Sequence, residues 1–520
     1  MAAHDHSFVL TKIIATLGPA SREVDTMVRL IEAGTRVFRI NFSHGSLDEF
    51  RELLANVREA SARSGRYVGV LGDLSGPKFR LGQVVEGGIH LKPGDILEFT
   101  AEPGIVAKPA ESGPIVFSVN QRGFLNEAEP GQRILLNDGA IALTVESRPD
   151  PASGRGLRLK VVVGGPISSG KGINLPDTNL TLPALTEWDE ECVAFAVEEG
   201  FDFLALSFVR NAKDVMQLKD RLRQLGARPM SPKLSSGGLG PKVSSYGGGS
   251  RAFVPVIAKI EKPQALEDLG AIVDESDVIM VARGDLGVEI DLAQVPIVQR
   301  KIIETCHNYG KPVIVATQML QSMINAPIPT RAEASDVANA ILGGADCVML
   351  SGETAVGEYP EDAVTTMRRI AKHTNTYRMD AAISFQPPAR PRQSKYRTAA
   401  LAHGVGVVAQ DLGAKLIILW SQQGGGASYI SQMRLSVPVL TFSSNVQALY
   451  RMSILYGIVP RYLDTPSSVS SFVKSVDSLI LDQKWGEVGD AIVLVLGEPL
   501  GHEGLTNEIR IHYVGDTFVR

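Results

Sequence analysis

The chain has 520 residues, a formal net charge of −5 and 44% hydrophobic residues. This length predicts about three domains, and the slightly acidic balance argues against a nucleic-acid partner. The three cysteines stand far apart in the sequence, which argues against a disulfide or zinc framework. Residues 1–10 carry no basic leader segment, and no apolar run approaches the length of about 18 residues that spans a membrane. We therefore expect a cytoplasmic protein without a membrane segment.

Eight short β-rich runs dominate residues 1–354, and most are separated by stretches long enough for a helix. Nearly every run ends in a polar or charged residue. In chain order the runs are 11–17, 36–42, 67–74, 203–208, 254–261, 277–285, 312–318 and 347–353. Because (β/α)8 barrels build their active sites from the C-terminal ends of the strands, this pattern predicts a TIM barrel with its site at one mouth.

Three pairs of polar residues near the ends of these runs stand two positions apart, so the side chains of each pair share one face of a strand. The pairs are Arg39 with Asn41, Lys259 with Glu261, and Arg283 with Asp285. A single pair is compatible with an ordinary ion pair or a capped strand end. Several pairs at equivalent positions indicate a site, because burying charges costs several kcal/mol per ion unless a ligand or metal compensates. We expect cationic groups around an anionic substrate, with a carboxylate pair for a divalent ion.

The remaining sequence predicts two further domains. After the third run, short β runs with Gly and Pro turns predict a small inserted β-barrel of antiparallel strands over residues 83–170. This domain would act as a lid, because it interrupts a loop at the catalytic mouth. The barrel domain then comprises residues 1–82 and 171–380, with a flexible Gly/Ser-rich loop at 229–250. A Pro-rich connector leads into a C-terminal α/β domain over residues 381–520, for which we expect a parallel sheet.

One phosphate-binding motif is incomplete. Residues 165–171 read GPISSGK and match the start of a P-loop, but the next residue is Gly172 instead of the Ser or Thr that would hold magnesium. The segment that follows is also a poor start for a helix. We therefore reject a P-loop here, although Lys171 remains a candidate phosphate contact.

Nine motifs carry a resemblance to a known family. They are TKIIATLGPAS (11–21), RINFSHG (39–45), LNDGAI (136–141), KGINLP (171–176), IAKIEKPQAL (257–266), IMVARGDLGVEI (279–290), KPVIVATQML (311–320), PTRAEASDVANAIL (329–342) and ADCVMLSGETAVGEYP (345–360). In order and content they closely resemble pyruvate kinases over most of residues 11–375. The likeness is weaker in the C-terminal domain, where GIVP (457–460), GDAIVLVLGEP (489–499) and GLTN (504–507) still fit.

The resemblance implies that the phosphoryl group of phosphoenolpyruvate passes to ADP, giving ATP, and that the enolate is then protonated to pyruvate. By matching positions, the catalytic residues would be Lys259, Arg39, Arg80 and Thr317. Glu261 and Asp285 would hold Mg²⁺ or Mn²⁺. Substrate contacts would come from Ser207, Ala282, Arg283, Gly284, Asp285, Thr317, Ser351 and Glu353, and nucleotide contacts from Pro19, Arg39, Asn41, His44, Arg80, Asp138 and Lys171. The resemblance also implies a homotetramer.

Two departures from the family pattern change these expectations. Potassium-requiring relatives read D-T-K-G-P-E where residues 73–78 of this chain read D-L-S-G-P-K. Their monovalent cation would lie among Asn41, Ser43, Asp73 and Leu74, and Lys78 would supply the same unit charge, so we expect no potassium requirement. Residues 421–427, SQQGGGA, keep the glycines of the family's effector loop but lose most hydroxyl donors, so fructose 1,6-bisphosphate should activate weakly or not at all.

Two other functions stay open from the residues alone. A magnesium-dependent barrel lyase acting on phosphoenolpyruvate or pyruvate would share the Glu and Asp ligands, but it would need neither the inserted domain nor a nucleotide. A pseudoenzyme used as a scaffold would be expected to lack charged groups at the barrel mouth, and none is missing here.

Overall fold

The computed structural model describes residues 8–110, 112–149, 156–227, 253–381, 386–393, 396–498, 500–501 and 505–516. The predicted loop at 229–250 lies outside these residues. The chain first alternates strands with helices: β1 (Lys12–Thr16), α1 (Val24–Ala33), β2 (Thr35–Asn41), α2 (Leu47–Ser64) and β3 (Gly69–Asp73). Helix α2 begins after Ser46, whose hydroxyl accepts the Glu49 amide, and ends at Gly65 in the left-handed conformation that glycine allows.

The inserted domain follows β3 and consists mainly of antiparallel strands. Its elements are β4 (Phe79–Arg80), β5 (Ile89–Leu91), β6 (Ile96–Thr100), β7 (Ile115–Ser118), α3 (Gly123–Glu127), β8 (Arg133–Leu136), β9 (Ile141–Ser147), β10 (Leu157–Val163), β11 (Gly165–Ile167) and β12 (Gly172–Asn174). One sheet runs in the order β4-β12-β8-β9-β10-β6-β7, and an isolated bridge between Leu81 and Val119 joins its two edges. Strands β4 and β12 lie just outside the predicted range of 83–170. The P-loop-like residues form β11 and a turn that leads into β12.

The second part of the barrel domain resumes the alternation. Its elements are α4 (Glu187–Glu199), β13 (Phe203–Leu206), α5 (Ala212–Gln224), β14 (Val256–Ile260), α6 (Gln264–Glu267), α7 (Leu269–Glu275), β15 (Val278–Ala282), α8 (Arg283–Glu289), α9 (Val295–Tyr309), β16 (Val313–Ala316), α10 (Arg331–Leu342), β17 (Cys347–Leu350), α11 (Gly352–Ala355) and α12 (Pro360–Asp380). Short 3₁₀ helices occupy Leu292–Gln294 and Gln321–Ile324. Parallel strands close into a barrel in the order β1-β17-β16-β15-β14-β13-β3-β2, which confirms the predicted TIM barrel.

The structure corrects the end of the sixth predicted run, 277–285. The strand ends at Ala282, which pairs with Ala316 at the end of β16, and helix α8 begins at the next residue. Successive helical residues are rotated by about 100°. Arg283 and Asp285 therefore point to different sides of α8, and the prediction that they share a face is wrong.

The C-terminal domain has a five-stranded sheet in the order β20-β19-β18-β21-β22. Its elements are α13 (Ala389–Gln393), α14 (Arg397–Asp411), β18 (Leu416–Trp420), α15 (Gly425–Ser431), β19 (Val439–Ser443), α16 (Val446–Met452), β20 (Ile458–Tyr462), α17 (Val469–Asp482), β21 (Ala491–Leu496) and β22 (Glu508–Tyr513). The strands are parallel except β22, which pairs with β21 in the antiparallel direction. Arg434 forms a 2.9 Å ion pair with Asp346, immediately before β17, so this domain packs against the N-terminal end of the barrel. The predicted site lies at the opposite end.

Candidate active site

Lys259 lies at the centre of the charged residues at the barrel mouth. The strand β14 places its ammonium 2.9 Å from Glu261 and 3.3 Å from Asp73, and the ammonium donates to Ser207 Oγ at 2.9 Å. Burial alone would lower the lysine pKa, but Asp73 and Glu261 outweigh it and raise the pKa above its ordinary value. Lys259 is therefore a fixed cation at neutral pH.

Arg39 and Asp73 form a second ion pair beside Lys259. Arg39 lies near the end of β2, and its Nε donates to Asp73 Oδ2 at 2.6 Å. Burial favours the neutral form of Asp73, yet the neighbouring Lys259 and Arg39 lower its pKa below the ordinary range. Ser207 donates to the Leu74 carbonyl at 2.7 Å, which fixes the turn after β3. The two cations and Asp73 thus form one connected cluster.

Glu261 and Asp285 are the candidate metal ligands. Glu261 is 1% exposed, and its second oxygen accepts the Phe208 amide at 2.8 Å. Burial raises the pKa of Glu261, Lys259 opposes that rise, and the neighbouring Asp285 adds to it. A cation between the two carboxylates would relieve this repulsion, because hard cations prefer oxygen ligands. The described residues contain no group of three or more His, Cys, Asp or Glu side chains that could hold a metal ion.

Thr317 adopts a left-handed backbone (φ 68°) directly after β16. Its hydroxyl accepts the Gly284 amide at 2.7 Å and donates to the Ala316 carbonyl at 2.6 Å. A Cβ added to Gly284 would lie 3.3 Å from the Thr317 hydroxyl, so glycine permits this close approach. Ala282 is buried immediately before α8. The first turn of α8 and the residue after β16 therefore meet at the barrel mouth.

The Arg283 side chain does not join the cluster formed by Lys259, Arg39 and Asp73. It forms a 2.6 Å ion pair with Asp336 and donates to the Thr317 carbonyl at 2.8 Å. Glu353 is fully buried and accepts the amides of Leu320 and Ser351. Both charged side chains therefore hold the loops around the site.

The candidate nucleotide residues belong to two parts of the chain, the barrel loops and the lid. Pro19 and His44 are exposed on loops after β1 and β2. Arg80, on β4, donates to the Gly170 carbonyl at 3.0 Å, and Lys171 follows that glycine. Pro19 and His44 thus lie on barrel loops, whereas Arg80 and Lys171 lie on the lid.

The other sequence-predicted residues lie in two places. Asp138 and Lys78 line a small cavity together with Asp285 of the barrel. Asn41 Oδ1 accepts the amide of the exposed Ser43 at 3.2 Å. Asp73 itself forms its ion pairs with Arg39 and Lys259.

Comparison with known proteins decides the family. A model described as pyruvate kinase, barrel domain, matches residues 9–230 and 245–364, and one described as pyruvate kinase, alpha/beta domain, matches residues 399–512. A pyruvate kinase of Mycobacterium tuberculosis is 38% identical over 508 residues, which cover 97% of this chain and 98% of the relative. A pyruvate kinase of Corynebacterium glutamicum is 37% identical over 506 residues, covering 97% and 98%. The chain belongs to the pyruvate kinase family.

Membership of the pyruvate kinase family confirms that the chain is a phosphotransferase enzyme. A further relative, pyruvate kinase 2 of Synechocystis sp., is 36% identical over 511 residues, which cover 97% of this chain and 79% of the relative. These relatives do not favour the lyase or the scaffold. Among the described helices, none has the length and apolar character to cross a membrane.

Sequence reasoning missed two residues in the loop after β13, one of which connects the barrel to the segment that returns from the lid. Phe208 has a left-handed backbone (φ 55°) that directs its amide to Glu261. Arg210 donates to the carbonyls of Leu180 and Leu182, in the segment that returns from the lid, at 2.8 Å each. The signal available in the sequence was position, because both residues lie in the loop after the C-terminal end of the barrel strand β13.

Proposed function

We propose that this enzyme transfers the phosphoryl group of phosphoenolpyruvate to ADP and releases pyruvate and ATP. The observation that carries the proposal is the Lys259 ammonium, held between two buried carboxylates and beside Arg39 at the barrel mouth. Phosphoryl transfer requires little covalent chemistry from the protein, since positioning and charge neutralisation supply most of the rate. A fixed cation at this point suits that requirement.

Lys259 would stabilise the negative charge on the phosphoryl group in flight and then on the enolate oxygen. Its raised pKa keeps it protonated through this step, so it would act as a cation and not as a base. Arg39, held by Asp73, would present its remaining guanidinium N–H groups to a phosphate. The Arg39 orientation is fixed before substrate arrives, which limits the entropy lost on binding.

Glu261 and Asp285 would hold Mg²⁺ or Mn²⁺, the kind of ion that pyruvate kinases generally use. When bound, the ion would neutralise charge on the substrate carboxylate and phosphate. Among the groups that would meet the substrate carboxylate are the backbone amides of Ala282, Arg283 and Gly284. Gly284 allows that approach because it has no side chain.

Thr317 would assist the protonation of the enolate carbon. Its hydroxyl is held beside the first turn of α8 by the Gly284 amide and the Ala316 carbonyl. Ser207 would hold the Lys259 ammonium in position, because its hydroxyl accepts a 2.9 Å hydrogen bond from that ammonium. Ser351 and Glu353 would support the loop behind the substrate.

The nucleotide would lie in the cleft between lid and barrel. Arg80 and Lys171 would meet its phosphates from the lid, since guanidinium and ammonium groups suit phosphate oxygens. Pro19, His44 and Asn41 would contact it from the barrel loops. Asp138 would face it from the β8–β9 turn, where Asn137 and Asp138 both adopt positive φ angles.

Catalysis would not require potassium. Lys78 lies on the loop that follows Asp73 and lines a small cavity, and its ammonium carries the unit charge that potassium would add. Potassium-requiring relatives have a carboxylate at the position of Lys78. Asn41, Ser43, Asp73 and Leu74 would then surround a lysine charge in place of a bound ion.

We also infer a cytoplasmic homotetramer, as in the family that the sequence resembles. Leu292, Ile297 and Ile328 are each more than 70% exposed on the barrel domain. Exposed apolar groups of this kind favour a protein interface. Sedimentation of the purified protein would determine the number of subunits.

A coupled assay with phosphoenolpyruvate, ADP and magnesium tests the proposed reaction. Turnover of phosphoenolpyruvate without ADP would instead support a lyase. Replacing potassium by tetramethylammonium at constant ionic strength should leave the rate unchanged, because that ion is too large for the site. Lys78→Glu should create a potassium requirement, whereas Lys108→Glu, the same charge change at an exposed lid residue, should not. A potassium-dependent wild type would refute the role of Lys78.

A further inference from the structure

A buried cluster joins the lid to the barrel outside the residues that would contact substrate. Glu289, 3% exposed, ends helix α8, and its Oε1 accepts hydrogen bonds from two different segments. Asn174, at the end of the lid strand β12, donates to it at 2.9 Å. The ammonium of Lys262, 8% exposed, pairs with the same oxygen. Three distant parts of the sequence therefore meet at one carboxylate.

Two members of this cluster are neighbours of the proposed metal ligands. Lys262 directly follows Glu261 in the sequence. Glu289 stands four residues after Asp285 on α8, so the two carboxylates lie one turn apart on the same side of the helix. A displacement of either metal ligand would therefore move a member of the cluster.

The third member is part of the strand that carries nucleotide contacts. Asn174 stands three residues after Lys171, and the register of β12 against β4 pairs Gly172 with Arg80. Strand β12 also pairs with β8, whose turn presents Asp138. The hydrogen bond from Asn174 thus attaches β12 to the barrel. Strand β12 is the part of the lid that positions Arg80 and Lys171.

Glu289 depends on these two donors. Its Oε2 is buried and accepts no hydrogen bond from the described residues, so Asn174 and Lys262 supply the hydrogen bonds that this carboxylate accepts there. A hydrogen bond to a charged acceptor contributes more than one between neutral groups. The single Asn174 bond is therefore a substantial part of the attachment at this point.

We propose that Asn174, Glu289 and Lys262 are positioning residues that couple closure of the lid to occupancy of the divalent-ion site. The proposal rests on the proposed roles of Glu261 and Asp285. An ion that holds these two carboxylates also holds Lys262 and α8, and so presents Glu289 to the lid. Because coupling is reciprocal, a lid fastened by Asn174 strengthens binding of the ion.

Asn174→Ala is the first test, because it removes the lid donor and leaves the Lys262–Glu289 pair intact. The Michaelis constant for ADP should rise about tenfold, the effect expected for one hydrogen bond to a charged group. The constant for phosphoenolpyruvate should rise less at saturating magnesium, since that substrate would bind on the barrel and would be affected only through the ion. Ser118→Ala is the matched control: it removes one buried hydrogen bond, to the Ile105 carbonyl, entirely within the lid.

Hydrogen exchange with and without Mn²⁺ provides a measurement independent of turnover. In the wild type and in Ser118→Ala, Mn²⁺ should increase the protection of the β12 amides, Gly172–Asn174. In Asn174→Ala this increase should disappear, and the Mn²⁺ affinity followed by electron paramagnetic resonance should fall. The coupling would be overturned if Asn174→Ala and Ser118→Ala showed the same Mn²⁺-induced protection of β12 and the same Michaelis constants for both substrates.

Further variants separate this proposal from the metal assignment. If Mn²⁺ binds the wild type but leaves β12 protection unchanged, the coupling is wrong and the metal site stands. If Glu261→Gln binds Mn²⁺ as tightly as the wild type, the metal assignment itself fails. Asn174→Asp keeps the shape of the side chain but brings a second carboxylate to Glu289. It should therefore weaken ADP binding more than Asn174→Ala does. A smaller effect than that of Asn174→Ala would count against the contact between residue 174 and Glu289.

A double-mutant cycle measures the contact directly. Glu289→Gln keeps the side-chain volume, and it avoids the cavity that Glu289→Ala would leave beside a buried lysine. In the cycle with Asn174→Ala, the ADP effects of the two substitutions should be non-additive, because Glu289→Gln removes the charge that strengthens the hydrogen bond which Asn174→Ala removes. Additive effects would show that Asn174 acts through some other residue.

Discussion

Lys259→Met is the most informative single substitution. Methionine nearly preserves the volume of the lysine side chain, but it removes the cation that lies 2.9 Å from Glu261 and 3.3 Å from Asp73. Asp73 keeps its 2.6 Å ion pair with Arg39. Glu261 keeps only the Phe208 amide, so it is the group most affected.

The structure sets the size of both expected effects. Losing a charge-stabilising contact at the reacting group costs about 3 to 4 kcal/mol, which lowers kcat about 100-fold to 1000-fold. With an effective dielectric constant of about 20, a pair at 2.9 Å interacts by about 6 kcal/mol before desolvation is subtracted. Removing one partner of a buried pair typically costs about 3 to 5 kcal/mol of folding stability. We therefore expect a loss of about 3 kcal/mol at neutral pH.

The loss of stability should depend on pH in a defined direction. Glu261 already has a raised pKa, and without Lys259 that pKa should rise further. A carboxyl group whose pKa is higher in the folded state than its unfolded value of about 4.3 contributes its full stabilisation at pH values below the unfolded pKa. This contribution is lost as the pH rises through the folded pKa. The variant should therefore lie closest to the wild type near pH 5 and fall furthest behind near pH 8.

Turnover measurements and urea unfolding at both pH values test this reasoning. Lys219→Met is the matched control, since it removes another buried lysine, paired with Glu275 away from the site. The control should lose stability and keep its activity. Retention of more than half the normal turnover by Lys259→Met would remove Lys259 from the mechanism. An equal stability loss at both pH values would refute the account of Glu261.

Three other predictions concern the metal, the site loops and the effector loop. Glu261→Gln and Asp285→Asn should raise the magnesium concentration needed for half-maximal rate, because hard cations prefer charged oxygen ligands; an unchanged requirement in both would reject the metal assignment. Arg283→Met should lower kcat about tenfold with little change in the phosphoenolpyruvate constant, because Arg283 holds the Thr317 carbonyl; a rise in that constant alone would indicate direct substrate contact. Fructose 1,6-bisphosphate should activate weakly or not at all, because residues 421–427 contain no cation and Gln422 donates a hydrogen bond to Ser444 at 2.9 Å. Activation of about tenfold, a coupling of about 1.4 kcal/mol, would refute this.

The barrel could be predicted because its signals are local. Strands such as β14 and β15 are fully buried and appear in the sequence as short β-rich runs, and each is followed by polar residues at the catalytic mouth. The prediction that Lys259 and Glu261 share a face is confirmed for the same reason. Lys259 lies in β14 and Glu261 directly follows it, so the alternation of side chains along the strand continues to Glu261. Their 2.9 Å separation follows from that geometry.

The Arg283–Asp285 pair could not be predicted from alternation, because the period changes from strand to helix at Ala282 within an unbroken sequence motif. The position of that change depends on where β15 stops pairing with β16, a tertiary property. Helical spacing, once the change is known, separates Arg283 from Asp285 and instead aligns Asp285 with Glu289.

The cluster around Glu289 was missed for a different physical reason. Its members belong to β12, to the residue after Glu261 and to the end of α8, and only the folded chain brings them within hydrogen-bond distance. Burying a lysine and a glutamate is costly unless each has a partner, so the fold must supply both together. In a parallel barrel with an inserted lid, such pairs form where loops from different strands meet. The residues that control lid position are therefore least visible in the sequence, whereas those that carry charge to the substrate are most visible.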